Sequence, residues 1–388
     1  MPEVSPGRQP LLVITNWRDR CHPDAGGAEA VCEELAIRFG AVGYDVVLLS
    51  ARVKDIPSKE QKEGYRVVRA GGRFTVYLRA LSWILLHRKE ISIVLDSQNG
   101  IPFFTPLVLP RSTTIVLLLY HIHQEQFGRY FPPWIAVIGR WLEKVGCRWV
   151  YRQRAVIAIS ESTAIGARHT LHLRGTISVV HPGWHTSLEI GNQRCLRTDN
   201  PTVVAVGRLV PHKRNELLIE SLASLKKYDE TLHLHLIGSG PEGPFLKTLA
   251  SRLDVSENVT FHHGTSNLER DKLISAAWLT VNTSQGEGWG LSVIEANSLG
   301  IPALAFDRPG LRDSIQAGQT GWLLEDDEDL AIGIQMAIEQ LRNPVYAEAI
   351  SKRAITWAHQ FSWEGMANDV SEVFDAEGKR LQPQSVRP

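Results

Sequence analysis

The sequence is poor in cysteine, and its four cysteines are widely spaced. Cys21, Cys32, Cys147 and Cys195 are the only ones among 388 residues, and no two of them form a C-x-x-C pair. Zinc sites and disulfide frameworks both depend on cysteines at closer or repeated spacings. The pattern therefore favours neither, and it predicts a reducing compartment, which we take to be the cytoplasm.

The sequence also lacks a surplus of charge and a long hydrophobic run. It has 42 basic and 42 acidic residues, whereas a nucleic-acid-binding protein normally carries a basic surplus, so no nucleic-acid partner is expected. The apolar run at residues 115–120 is far shorter than the roughly 20 residues of a membrane-spanning helix. The opening segment MPEVSPGRQP has no apolar core of a signal peptide. We therefore expect a soluble protein.

What the sequence does contain is one opening pattern that occurs twice. Leu11–Thr15 and Thr202–Val206 are apolar runs typical of buried strands. Each is followed by a glycine-bearing loop and a helical pattern, at residues 28–39 and 215–226. A strand, a glycine-containing turn and a helix begin a Rossmann-like unit. The length also suits two domains of ordinary size.

Further apolar runs extend both halves in the same way. The sequence predicts strands at residues 45–49, 66–69, 92–95, 114–119 and 155–159, and then at 233–237, 259–262, 279–283 and 303–306. Such runs alternating with helices indicate parallel sheets covered on both faces. We therefore predict an α/β protein with a first domain at residues 1–185 and a second at 198–355. A C-terminal helix at 356–377 is expected to cross back to the first domain.

The segment TSQGEGWGLSVIEANSLG at residues 283–300 contains the strongest candidate site. It follows the carboxyl end of a predicted strand, where open α/β sheets bind ligands. Carboxylates such as Glu287 in the loop and Glu295 on the following helix accept hydrogen bonds from sugar hydroxyls. Glycines and a helix N-terminus suit phosphate oxygens. From these residues alone, a solvated surface loop is an equally good interpretation.

The segment EGWGLSVIEA, followed by LGIP, resembles the E-x7-E signature of the retaining GT-B glycosyltransferases of family four. Other segments resemble the same family in order: GGAEAVCEELA at 26–36, AISES at 158–162, VGRLVPHK at 206–213, LIGSGPE at 236–242 and GWLL at 321–324. The resemblance implies the GT-B fold, in which two Rossmann-like domains face a central cleft. It also implies retaining transfer of a sugar from a nucleotide-diphosphate sugar to a small-molecule, glycan or lipid acceptor.

The resemblance assigns roles to individual residues. Glu287 would hold the hydroxyls of the transferred sugar, and Glu295 the ribose. Arg208 and Lys213 would grip the diphosphate. His121, at the end of a predicted strand, would contact the sugar, with His123 as the alternative because both can face the same side. The other predicted substrate-binding residues lie at two helix N-termini and are Gly26, Gly27, Gly290, Leu291 and Ser292.

The two cations also bear on the question of a metal. By the resemblance, Arg208 and Lys213 can neutralise the leaving diphosphate in place of a divalent ion. Asp327 and Asp329 form the one D-x-D candidate, but they precede a helical pattern, where acids cap helices. We therefore expect no metal and no cofactor. The co-substrate would be a UDP- or GDP-sugar.

Two other functions remain open from the sequence. The same scaffold hosts nucleotide-sugar 2-epimerases, and it could serve as a non-catalytic nucleotide-sugar-binding protein. The E-x7-E segment favours transfer over the first, and the presence of both cations and both glutamates favours it over the second.

Two further groups of residues have competing interpretations. Residues 130–154 combine aromatic and basic side chains, which fits either a peripheral helix on an anionic bilayer or a core helix whose cations reach solvent. We favour the core helix. His233 and His235 share one strand face, but with no third ligand evident nearby we interpret them as strand surface, not as a zinc site.

Overall fold

The computed structural model describes residues 9–124, 126–188 and 197–382. The chain divides into two compact units. The first comprises Met1–Pro182 together with Trp363–Pro388, and the second comprises Gly183–Ser362. Most of the segment between the two predicted domains, residues 189–196, lies outside the described residues.

The first unit is built on an eight-stranded sheet with the order β3-β4-β2-β1-β5-β6-β7-β8. Its neighbouring strands are parallel except for β3 and β4. The strands are β1 Leu11–Thr15, β2 Asp45–Ser50, β3 Lys59–Lys62, β4 Tyr65–Arg69, β5 Ile91–Gln98, β6 Thr114–Leu119, β7 Ala155–Ala158 and β8 Ile177–Val179. The helices are α1 Gly27–Ala41, α2 Val76–His87, α3 Phe127–Tyr130, α4 Pro133–Trp141, α5 Cys147–Val150 and α6 Glu161–His169.

The second unit is built on a six-stranded parallel sheet with the order β11-β10-β9-β12-β13-β14. Its strands are β9 Thr202–Val206, β10 His233–Ile237, β11 Val259–His262, β12 Leu279–Asn282, β13 Ala303–Phe306 and β14 Gly321–Leu324. Its helices are α7 Glu216–Lys226, α8 Gly243–Arg252, α9 Asn267–Ala276, α10 Leu291–Ser298, α11 Leu311–Ser314, α12 Leu330–Arg342 and α13 Pro344–Ala358.

The central strands form because their side chains are almost all apolar and buried. Every residue of LLVIT in β1 and TIVLLL in β6 is buried. A strand flanked by other strands and covered by helices on both faces needs such a continuous run. The strands that sequence patterns missed are the short edge strands β3, β8 and β14. The first of these, KEQK, is polar because it pairs on one side only.

The C-terminal region contains two helices where one was predicted. Helix α13 ends at Ala358, and α14 runs over Trp363–Leu381. In the turn between them the Phe361 ring packs edge-on against Trp289 at 4.9 Å, and the Trp184 indole N–H donates to the Ala358 carbonyl oxygen at 2.6 Å. Helix α14 then packs within the first unit, with Phe374 against Phe39 at 5.4 Å.

Residues 130–154 do not form one continuous core helix: one side of the segment is buried, as a core helix requires, but three of its tryptophans are exposed. Its ordered elements are α4, a π-helical turn at Leu142–Gly146 and α5. Trp134 is 67% exposed, Trp141 57% and Trp149 71%. The predicted aromatic group also included Tyr130, whose side chain is outside the described part. Among the described residues, every helix is too short or too polar to span a bilayer.

Candidate active site

Two loops leave the same edge of the second sheet. One follows β9 and the other follows β12, and these parallel strands are neighbours. The loops are joined by hydrogen bonds. The Thr283 hydroxyl donates to the Lys213 carbonyl oxygen at 2.7 Å, and the Gln285 backbone N–H donates to the His212 carbonyl oxygen at 3.0 Å. These bonds hold the loop after β9, which carries Arg208 and Lys213 and is called the basic loop, beside the loop after β12, which carries Glu287 and is called the glutamate loop.

The centre of this edge is an ion pair between the Lys213 ammonium and the Glu287 carboxylate. The Ser284 hydroxyl donates to the same carboxylate oxygen at 2.6 Å. Each side chain of the pair is only 18% exposed, so the alternative interpretation of Glu287 as part of a solvated surface loop is wrong. Lys213 also reaches back to Gly207, where an added Cβ would lie 3.6 Å from its Nζ atom.

The environment of Glu287 determines its protonation state. Burial alone would raise its pKa, but the Lys213 charge and the hydrogen bonds from Lys213 and Ser284 outweigh burial and lower the pKa to about 2. The carboxylate is therefore ionised throughout the neutral range. An ionised carboxylate is a pure hydrogen-bond acceptor, which suits it to hydroxyl donors.

Arg208 follows Gly207 directly and is half-buried. Within the part of the chain that the structure describes, its guanidinium makes neither an ion pair nor a hydrogen bond. A half-buried cation in this state is suited to an anionic ligand, because the ligand displaces no existing partner. The structure thus brings two predicted cations to the carboxyl ends of β9 and β12. Lys213 is paired with Glu287, and Arg208 is available to an anionic ligand.

The glutamate loop ends where α10 begins. Gly290 stands just before the helix with φ of 80°, a left-handed conformation that favours glycine. Leu291 and Ser292 are the first helical residues, so their N–H groups have no acceptor within the helix. The first turn carries no acidic side chain. All three predicted residues thus lie at a helix N-terminus suited to an anion.

Glu295 lies on α10 and pairs with a residue that sequence reasoning missed. The Arg270 guanidinium is 3.6 Å from its carboxylate, and both side chains are 20% exposed. Arg270 also donates at 2.8 Å to the Asp271 carboxylate, and Asp271 is buried. Arg270 thus fixes the position of Glu295. No sequence motif includes Arg270. From the sequence it is one cation on a predicted helix, and its contact with Glu295 depends on the fold.

In the first unit, Gly26 and Gly27 stand at the N-terminus of α1 as predicted. The Gly26 N–H donates to the Glu29 carboxylate at 2.7 Å. Arg18 donates to the other oxygen of Glu29 at 3.1 Å, and Asp19 pairs with Arg69. These four charged side chains are buried, and they pair as Arg18 with Glu29 and Asp19 with Arg69.

His121 and His123 follow β6, and their rings lie 5.2 Å apart. The His123 Nδ1–H donates to the His121 carbonyl oxygen at 2.9 Å. The His123 backbone N–H donates to the Glu143 carboxylate at 2.7 Å. This carboxylate is fully buried. The structure therefore brings both predicted histidines together and fixes one ring orientation by a backbone contact. It does not separate their roles.

The D-x-D candidate serves as a helix cap. The Asp329 carboxylate accepts from the Ala331 N–H at 2.8 Å at the start of α12. Among the described residues, no group of three or more histidine, cysteine or acidic side chains is arranged to hold a metal ion.

Comparisons with known proteins agree with this architecture. The family model Glycosyltransferase Family 4 matches residues 25–188, and the model Glycosyl transferases group 1 matches residues 189–357. An uncharacterized glycosyltransferase of Haemophilus influenzae is 23% identical over 81% of this chain and 87% of its own. The D-inositol 3-phosphate glycosyltransferase of Nocardia farcinica is 32% identical over 55% of this chain, and the match spans about half (51%) of that relative.

Solved structures show the same fold. Sucrose-phosphate synthase of Thermosynechococcus elongatus superposes with a TM-score of 0.78 at 20% identity, covering 95% of this chain and 99% of the other. The Anabaena protein HepE, solved in complex with UDP and glucose, gives a TM-score of 0.68 at 18% identity, covering 95% and 100%. The chain has the GT-B fold with two parallel-sheet units, and it belongs to the group 1 glycosyltransferases of family four.

Proposed function

We propose that this glycosyltransferase moves a sugar from a nucleotide-diphosphate sugar to a small-molecule, glycan or lipid acceptor with retention at the anomeric carbon. One observation carries the proposal. The Lys213–Glu287 pair and the available Arg208 gather at one strand edge of the second unit, next to the N-terminus of α10. This set matches an anionic diphosphate and a hydroxyl-rich sugar at the same time.

The diphosphate accounts for the cations. As the sugar leaves, negative charge grows on the distal phosphate, and fixed positive groups aimed at it lower the barrier. Arg208 and Lys213 supply two such charges, and the N–H groups of Leu291 and Ser292 supply donors. With these groups the reaction would need no metal ion and no further cofactor.

The sugar and ribose account for the carboxylates. Glu287, ionised because of its low pKa, accepts from the hydroxyls of the transferred sugar. Glu295, positioned by Arg270, accepts from the ribose. His121, with His123 as the alternative, is assigned to the transferred sugar. Gly26 and Gly27 are assigned to the substrate phosphate or acceptor.

The bond changes follow from this arrangement. The acceptor oxygen attacks the anomeric carbon on the face from which the diphosphate departs, which retains the configuration. The bond from the anomeric carbon to the diphosphate oxygen breaks as the new glycosidic bond forms. The leaving phosphate takes the proton of the acceptor hydroxyl. The products are the glycosylated acceptor and a nucleoside diphosphate.

The relatives guide the choice of substrates to test. HepE was solved with UDP and glucose, which supports UDP-glucose as one donor, and a GDP-sugar is the second. The printed name of the Nocardia relative makes D-inositol 3-phosphate one acceptor for the panel. We therefore expect release of nucleoside diphosphate that depends on an acceptor and persists in EDTA.

The test compares wild type with Lys213→Met and Glu287→Gln. Each substitution should lower kcat by roughly 10²–10³-fold, the usual loss when one stabilising group is removed. Lys352→Met is the control, because Lys352 pairs with Glu348 on the surface at 2.8 Å. Interconversion of the donor without acceptor would indicate an epimerase. Donor binding without turnover for every acceptor would indicate a binding protein.

A further inference from the structure

The first unit has an apolar helix face turned to solvent. On α4, Trp134 is 67% exposed, Val137 57%, Ile138 50% and Trp141 57%. Their spacing of three and four residues places them on one side of the helix. We call these four residues, together with the 71% exposed Trp149, the tryptophan face. Surface helices of globular proteins normally present polar residues on this side.

The opposite side of the same helical segment is firmly packed. Ala136, Gly139, Glu143 and Cys147 are buried. At Gly139 an added Cβ would lie 2.6 Å from the Phe127 ring, so no larger residue fits there. Glu143 accepts from the His123 N–H at 2.7 Å and from the Gln124 side chain at 2.6 Å. Because the opposite side of the segment is packed in this way, the tryptophan face is oriented towards solvent.

A second set of exposed apolar residues lies on α2 and just before it. Phe74 is 60% exposed, and Leu78 67% and Leu85 45% on α2. The Phe74 ring lies 6.4 Å from the Phe131 ring, directly before α4. Arg73 stacks over Phe131 at 4.6 Å. The Phe74–Phe131 contact thus joins the segments that precede α2 and α4, and both helices carry several exposed apolar residues, unlike the single exposed residues that are normal on any protein.

The charge around the tryptophan face is of one sign. Lys144, Arg148 and Arg152 are exposed, and Arg140 is half-buried. Glu143 is the only acid in residues 130–154, and it is fully buried beneath the helix. Its negative charge is held on the inner side by His123 and Gln124. The charges that residues 130–154 present to solvent are therefore all positive, and they accompany exposed apolar side chains.

We propose that the tryptophan face docks this protein on an anionic lipid bilayer. Tryptophan rings partition to the boundary between headgroups and acyl chains, and cations beside them bind anionic headgroups. A second copy of this chain fits less well, because a two-fold contact would set the same cations against each other. The proposal does not depend on the donor site, so the two can fail separately.

The experiment measures binding of the full chain to vesicles by sedimentation. Vesicles of phosphatidylcholine mixed with phosphatidylglycerol are compared with phosphatidylcholine alone. Wild type should prefer the anionic vesicles and lose binding as salt rises, because salt screens exposed charges. The double variant Trp134→Glu/Trp141→Glu should bind at least about tenfold more weakly. Replacing Lys144, Arg148 and Arg152 with Gln should weaken binding by roughly fivefold for each cation.

The control is Ile332→Glu/Val345→Glu, which changes two exposed apolar residues of the second unit, 65% and 77% exposed. It should bind vesicles as wild type does. Circular dichroism and melting temperature show whether each variant is folded. Equal vesicle binding by wild type and the tryptophan variant would overturn the proposal. So would a wild-type dimer in sedimentation equilibrium that the tryptophan variant converts to a monomer.

Discussion

At the scale of single residues, the site depends on one carboxylate whose charge state is set by its neighbour. Glu287 accepts from Ser284 and pairs with Lys213, both within loops joined by backbone bonds. Its pKa of about 2 is below the usual 4.5. Because the folded state prefers the ionised form, the pair contributes stability above the unfolded pKa. That stability is lost as pH falls from about 4.5 towards 2.

Lys213→Met tests this linkage. Removing the ammonium leaves Glu287 without its counter-charge, so the variant should be less stable than wild type by about 2–3 kcal/mol near pH 7. The difference should shrink between about pH 4.5 and pH 2 as Glu287 is protonated. Urea unfolding across this range measures it. Lys352→Met is the control and should cost less than about 1 kcal/mol, as exposed pairs do. A pH-independent difference would contradict the assignment.

At the scale of elements, parallel pairing of β10 and β11 places a third histidine beside the predicted two. His235 opposes Thr260, and its Nδ1 lies 2.8 Å from His262 Nε2. His233 contacts the Thr260 hydroxyl at 2.8 Å. The sequence pattern did not indicate this third histidine, because His262 is adjacent only in space, and among the described residues no group of three or more histidine, cysteine or acidic side chains is arranged to hold a metal ion. Burial first, and then His233 and His262, lower the pKa of His235 to about 4.

The row of histidines predicts a loss of stability in mild acid. His235 stays neutral in the folded protein until about pH 4, whereas the unfolded chain takes up a proton near pH 6.5. Stability is therefore complete above 6.5 and falls as pH drops towards 4. His235→Gln should lose less stability over this interval than wild type, measured by urea unfolding. Exposed His169→Gln serves as the control, and an identical pH profile for His235→Gln would refute the explanation.

At the scale of the whole molecule, each unit has its own core, and the first needs a segment from the far end of the chain. Helix α14 buries four large apolar residues within that unit: Trp363, Met366, Val370 and Phe374. Burial of each contributes roughly 1.5–3 kcal/mol. Together they are comparable to the 5–15 kcal/mol stability of an entire domain.

A chain ending at Ser362 should therefore lose the first unit and keep the second. Amide hydrogen exchange should show lost protection in β6 and β7 and retained protection in β9 and β12. A chain ending at Gln382 is the matched control and should exchange as the full chain does. Protection that persists in β6 and β7 of the shorter chain would show that α14 is dispensable to that core.

Patterns among neighbouring residues were enough to predict those elements that such patterns determine. Runs such as Thr202–Val206 predict buried strands because apolar β-branched residues need a covered sheet. The glutamate segment predicted a sugar-nucleotide site through its resemblance to family four, and that site stays a prediction. Its place after the carboxyl end of a strand followed from the same pattern. By contrast, the polar edge strand β3 carried no usable hydrophobic signal.

Strand patterns and motifs were enough to predict the two-unit α/β class and the family, since both depend on residues that are neighbours in the chain. Which distant side chains meet could be learned only from the fold. It paired Lys213 with Glu287 across 74 positions and Glu295 with Arg270. It also turned Trp134 and Trp141 to solvent. The physical reason is the same in each case: pairing and burial depend on neighbours in space, which helical or strand periodicity does not specify.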